Sequence, residues 1–204
     1  MMDSFGEITV TRKTGNEKFM LNGKALDINL LSFWQWSSSD LINNAMRGML
    51  AEYIVASAVS STSSIRKQWE PYDILSTENI RIEVKSTAYL QSWAQKHHSI
   101  IQFGIAERKA WDSKTNAYTD TASRHSDIYV FCVLANKDQN TLDPMDLNQW
   151  DFYLLKTEVL NRSLSNQKSI GLSNLLKLNP VKSDYMNLYK SILEVHASSA
   201  DQVP

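Results

Sequence analysis

The chain has 204 residues, with 21 Lys plus Arg against 22 Asp plus Glu and 43% hydrophobic residues. These values exclude wholesale disorder and a polybasic coat for non-specific nucleic-acid binding, and they suit one domain with at most a short appendage. A single cysteine, Cys132, excludes an internal disulfide, and no segment reaches the roughly 20 apolar residues of a membrane span. Residues 1–7 lack the basic and apolar regions of a signal peptide, so a cytoplasmic protein is expected.

Residues 1–36 read as a small β-hairpin extension of the same domain, in which Ile8 and Val10 alternate with threonines. Asn22-Gly23 between short apolar arms signals a type I′ turn. Residues 37–197 form the body, and 198–204 a flexible tail. Ser37 to Asp40 offer an N-cap for a helix over residues 40–60, with Leu41, Ile42, Ala45, Met46, Met49, Tyr53 and Ala56 on one face. Two short strands follow at 72–75 and 80–85, with a polar turn at 76–79, then a strand at 99–105. Residues 106–126 are polar and predict a long loop or a frayed helix. Residues 127–134 are so continuously apolar that a strand covered on both faces is expected, with Cys132 a buried thiol. A further strand is expected at 150–155, and Pro180 to Ser183 start a last helix with Tyr185, Leu188, Tyr189, Ile192 and Val195 on one face. The tryptophans, Trp34, Trp36, Trp69 and Trp93 among them, predict core packing rather than stacking on sugars or bases. The sum is an α/β fold with a mixed sheet flanked by helices.

Chemistry concentrates in Pro71-Tyr-Asp73 and Ile80-Arg-Ile-Glu83-Val-Lys85. A period of two puts Ile80, Ile82 and Val84 on one face and Arg81, Glu83 and Lys85 on the other. A hairpin folded about Glu78, with a three-residue turn at 77–79, makes Asp73 and Glu83 direct cross-strand partners. Facing carboxylates repel unless a cation sits between them, and a hard divalent ion such as Mg²⁺, or Mn²⁺ in its place, suits two such ligands plus phosphate. Lys85 then reaches a water or a phosphate oxygen, which supplies the parts of metal-assisted phosphodiester hydrolysis. The alternative is a surface salt-bridge ladder across the hairpin. Glu52 lies inside an apolar arc of the first helix, where it either snorkels from the rim or points into this site. Two further acid-x-Lys triplets, Glu107-Arg-Lys109 and Asp112-Ser-Lys114, fall in the polar stretch and read as solvated charge.

Glu52 on a first helix, then Pro71-Tyr-Asp73 and Glu83-Val-Lys85, in the order helix, hairpin, strand over residues 40–134, resemble the PD-(D/E)XK nuclease superfamily, and its small prokaryotic members above all. Tyr72, inserted between Pro71 and Asp73, departs from the pattern. The resemblance implies a restriction-endonuclease-like fold in which Asp73, Glu83 and the carbonyl of Val84 bind Mg²⁺, Lys85 assists the water and Glu52 is an accessory acid. It also brings Gln102, on the strand after Glu-x-Lys, into consideration as a site-lining residue; an ordinary exposed glutamine is the alternative.

Ser86, Thr87 and Gln91 follow Lys85 and are candidate donors to phosphate oxygens. Arg47, Lys96, His97, Arg108 and Arg124 are candidate backbone contacts, each with a solvated surface charge as the alternative. His97-His98 lacks the further ligands of a zinc site. The functional expectation is a metal-dependent nuclease acting on DNA. A catalytically idle nuclease fold that binds nucleic acid or protein is the second reading, and an enzyme using the carboxylates as general acid and base the third. Near-zero net charge disfavours tight monomeric DNA binding and points to a homodimer, a partner protein or a special DNA structure.

Overall fold

A computed structural model describes residues 8–112 and 115–198. The signal-peptide reading of residues 1–7, residues 113–114 of the third acid-x-Lys triplet, and the tail from 199 onward lie outside the described residues.

In chain order the elements are β1 (Lys18–Leu21), β2 (Lys24–Asn29), α1 (Leu30–Ser38), α2 (Asn44–Ala58), β3 (Ile74–Leu75), β4 (Arg81–Ala88), β5 (Gln102–Gly104), β6 (Trp111–Asp112), β7 (Ala117–Tyr118), β8 (Ile128–Leu134), β9 (Trp150–Lys156), α3 (Thr157–Leu164), β10 (Ser169–Gly171), α4 (Leu172–Leu176), β11 (Val181–Ser183) and α5 (Leu188–Ala197). A mixed five-stranded sheet in the order β11-β9-β8-β4-β3 forms the centre. β4 and β8 run parallel and the other neighbours antiparallel.

β8 is buried along its whole length because both faces of the sheet are covered. Ile128, Val130, Cys132 and Leu134 face one apolar cluster with Ala51, Ile54 and Val55 of α2 and Leu188, Ile192 and Val195 of α5. Tyr129, Phe131 and Val133 face a second cluster with Phe103, Val159, Leu160, Ile170 and Leu175. Each such side chain contributes about 1.5–3 kcal/mol when fully buried, so the two clusters hold the sheet rigid behind any residue at its edge.

The type I′ hairpin forms as expected: Asn22 and Gly23 both have positive φ, 49° and 76°. Other expectations need correction. Ile8 and Val10 are in no strand. Residues 37–40 do not cap a helix. They end α1, a helix the sequence reading missed, whose own cap is Asn29, accepting from Ser32 N–H at 2.9 Å. α2 starts later, capped by Asn43, whose Oδ1 accepts from Met46 N–H at 3.0 Å. Its buried face is Arg47, Ala51, Ile54 and Val55, whereas Ala45, Met49 and Tyr53 are exposed. The polar stretch 106–126 holds a short hairpin, β6–β7, and a bridge between Arg108 and Ser123. Residues 181–183 extend the sheet as β11, so the last helix begins only at Leu188 and buries Ser191 where Tyr189 was expected. Trp34, Trp36, Trp69 and Trp93 are exposed, while Trp150 is the buried indole, donating from Nε1 to the Pro144 carbonyl at 2.9 Å.

Candidate active site at the β3–β4 hairpin

The hairpin register is the expected one. Ile74 pairs with Ile82 and Leu75 with Arg81, so the ladder is centred on Glu78. Its turn closes with Ser76 N–H donating to the Ile80 carbonyl and Asn79 N–H to the Ser76 carbonyl, both at 3.0 Å. Asn79 takes φ 63°, a conformation Asn tolerates better than most residues. Ser76 Oγ accepts from the N–H groups of Glu78 and Ile80, both at 3.2 Å, and fixes the turn further.

Asp73 sits one residue before β3. Its N–H donates to the Ile82 carbonyl at 3.1 Å, and its Oδ2 accepts from Val84 N–H at 2.7 Å. The carboxylate is thus anchored to the strand that carries Glu83 and Lys85. Burial and the Glu83 carboxylate push the Asp73 carboxyl up to about 6, while the Val84 N–H and the Lys85 ammonium oppose the rise. Two acids therefore meet at this point, and Lys85 beside them is ion-paired to Glu83 through Nζ and Oε1. Glu83 and Lys85 are largely enclosed, their side chains 12% and 17% exposed, which does not fit a solvated surface ladder. In register on β8, Glu83 lies beside Tyr129 and Lys85 beside Phe131. Burial and Glu83 raise the Tyr129 hydroxyl pKa.

Glu52 lies at the rim of α2 and lines, with Asp73, an open cleft of about 520 Å³. Its carboxylate is held by both arms of the Arg66 guanidinium, Nη2 to Oε1 at 2.9 Å and Nε to Oε2. Arg66 is raised mainly by this hydrogen bond, with a further contribution from Asp73, and Glu52 in turn raises Asp73. Glu52 is thus a largely enclosed member of the cleft that Asp73 also lines, its side chain 17% exposed and its carboxylate held by Arg66. Arg66 is the residue that sequence reasoning missed; its only local signal was a basic pair, Arg66-Lys67, in a loop. Met49, Tyr53, Ala56 and Ile65 form an apolar wall of the same cleft. Of the helix face expected to be buried, Met49, Tyr53 and Ala56 belong to this wall.

Among the described residues no hydrogen bond or ion pair joins the other candidates to Asp73, Glu83 or Lys85. Ser86 lies on the opposite face of β4 from Glu83 and Lys85, in register with Cys132, and its Oγ is buried without a hydrogen-bond partner. Thr87 is buried. Gln91 is consumed internally: Oε1 accepts from Arg47 at 3.2 Å and Nε2 donates to Ala88 O at 3.2 Å and Ser99 Oγ at 3.1 Å. Gln102 is exposed beside Gly104 and donates to Ser169 Oγ at 2.7 Å. Arg47 and Arg124 are buried, at 3% and 7% exposure, and are structural rather than phosphate-facing. Lys96, His97 and Arg108 remain exposed.

Among the described residues no group of three or more His, Cys, Asp or Glu side chains has metal-binding geometry. The donors at the hairpin nevertheless fit a hard divalent cation. They are carboxylate oxygens, and the Asp73 carboxyl, lifted first by burial and then by the Glu83 charge, is in a conflict that such an ion would relieve.

Comparison with known proteins gives a match over residues 7–174 to the family model described as bacteriophage T4 endonuclease IV. No curated protein matches the chain.

Proposed function

The chain belongs to the bacteriophage T4 endonuclease IV family, and from that premise we propose that it is a divalent-metal-dependent endonuclease hydrolysing DNA phosphodiesters at a PD-(D/E)XK-type site. The observation that carries this reading is the convergence of Asp73, Glu83 and Lys85 at a fixed hairpin register. Asp73 and Glu83, with the Val84 carbonyl, would hold Mg²⁺ or Mn²⁺, which when bound neutralises charge on the scissile phosphate.

The chain's own groups have separable tasks. Val84 N–H and the strand ladder keep Asp73 facing its partner. Glu83 orients the Lys85 ammonium, which is placed to donate to the attacking water or a phosphate oxygen and to stabilise charge that develops there. Arg66 holds Glu52 at the cleft wall, so the accessory acid is positioned without a free charge beside Asp73. The two clusters behind the sheet keep these groups on rigid strands, and rigidity matters because misplacement by about 1 Å can cost 10²-fold in rate.

The test is cleavage of single- and double-stranded DNA with Mg²⁺ or Mn²⁺, using Lys85→Ala as the control. Metal-dependent cleavage that falls 10²-fold or more in the variant is expected, from loss of a transition-state charge partner. Cleavage that persists in EDTA, or is equal in parent and variant, would overturn the assignment. One feature favours a second reading, a catalytically idle module: Lys85 and Glu52 are already paired within the chain, with Glu83 and Arg66.

A further inference from the structure

We infer that residues 8–39 are a docking arm for a second copy of this chain, and that the protein assembles as a homodimer through β1, β2 and α1. From residue 8 to residue 37 only Gly15 is buried, yet Ile8, Met20, Leu21, Ile28, Leu31, Phe33 and Trp36 are all exposed, Trp36 at 82%. Neither core cluster contains a residue of β1, β2 or α1. The hairpin is a separate two-stranded sheet, and a hairpin of that size is marginal alone in water. α1 carries no charged residue, and none of its positions is buried. A solvated helix normally has a charged face, so this one is built to be covered.

Area and charge identify what covers it. The chain exposes 13524 Å². A folded monomer of 23.3 kDa is expected to expose about 9,700 Å². Even if the fifteen undescribed residues were granted the full surface of an unfolded chain, about 2,500 Å², a surplus of about 1,300 Å² remains. That exceeds the roughly 800 Å² per partner of a standard stable interface. Residues 8–39 hold two acids, Glu17 and Asp27, and four bases, Arg12, Lys13, Lys18 and Lys24, of which Arg12 is spent on the Thr62 and Ser63 carbonyls, so that β1, β2 and α1 themselves carry only Lys18, Lys24 and Asp27. A surface whose strands and helix carry three charges among so many exposed apolar side chains suits its own copy better than a polyanion, since a two-fold contact places the same apolar surface on both sides.

Sedimentation velocity on the full chain at micromolar concentration tests this. Expected is a species of twice 23.3 kDa that persists in high salt, because apolar contacts are not screened. Trp36→Lys on α1 and Leu21→Lys on the hairpin should each return the monomer with an unchanged far-UV circular dichroism spectrum. Both positions are exposed, at 82% and 59%, so the fold does not depend on them. A parent that stays monomeric, a dimer that survives both substitutions, or association that needs DNA and dissolves in salt would each overturn the inference.

Discussion

The Arg124 guanidinium is fully enclosed, and its donors are spent on four residues, two of them in α3. Nε donates to Ile105 O at 2.8 Å, Nη1 to Asn161 Oδ1 at 2.8 Å, and Nη2 to the carbonyls of Leu164 at 3.1 Å and Gln167 at 3.3 Å. Glu107 completes the surroundings at 3.6 Å. Arg124→Ala would orphan the buried Ile105 carbonyl and take a donor from the part-buried carbonyls of Leu164 and Gln167, so it should lower stability by about 1–3 kcal/mol, read as a shifted urea midpoint. Arg124→Lys should recover at most part of this loss, because an ammonium cannot reproduce the planar fork. Sequence reading had offered Arg124, like Arg47, as a phosphate contact. The partners of Arg124 lie 19 to 43 positions away in the chain, and nothing local marks a charged residue as enclosed. Asp73, Glu83 and Lys85 were legible for the opposite reason. Strand alternation and a three-residue turn fix their geometry within thirteen residues of sequence. Arg66 was not legible, because a loop residue has no periodicity to place it.

At the scale of elements, the strands around the site were readable where both faces are covered or where a turn sets the register. β8 and the β3–β4 hairpin follow from apolar runs and a cap-like Ser76, whereas α2 misled because its exposed Met49–Tyr53 side is apolar and lines a cleft. The start of β4 depends on one clamp. Asp127 Oδ2 accepts from Arg81 N–H at 2.9 Å and Arg81 Nε at 3.1 Å, Oδ1 accepts from Nη2 at 2.5 Å, and Asp127 N–H donates to the Arg81 carbonyl at 2.8 Å. Arg81 holds the Asp127 carboxyl below the usual carboxylate range. A depressed folded value means the contribution is fully present above the unfolded pKa of about 3.9 and is lost as pH falls through the folded value. Asp127→Asn should therefore cost about 1 kcal/mol at pH 7, a discounted figure because Arg81 is half exposed. The gap between parent and variant should close progressively below pH 4. Urea midpoints of both proteins across that range measure it. A gap that stays constant would mean that the charge of Asp127 does not matter.

For the whole molecule, the sheet joins the acid site to both clusters, so ligand binding at the β3–β4 edge should register as global stability. The Asp73–Glu83 repulsion is present in the protein without metal, and a cation that binds only the folded chain stabilises it by mass action. At a hundredfold excess over Kd the gain is about 2.7 kcal/mol, which for a chain of this length raises Tm by about 5–10 °C. Mg²⁺ or Mn²⁺ should produce this rise in the parent, and Glu83→Ala should abolish it while leaving the metal-free protein folded. Lys85→Ala should keep the rise, because Lys85 supplies no metal ligand and its removal takes a competing cation away from Glu83. Calorimetry of these proteins, read beside the cleavage assay, separates the possibilities. A metal-dependent rise with cleavage supports the nuclease, a rise without cleavage supports the idle module, and a rise of equal size in Glu83→Ala would place the cation elsewhere on the chain.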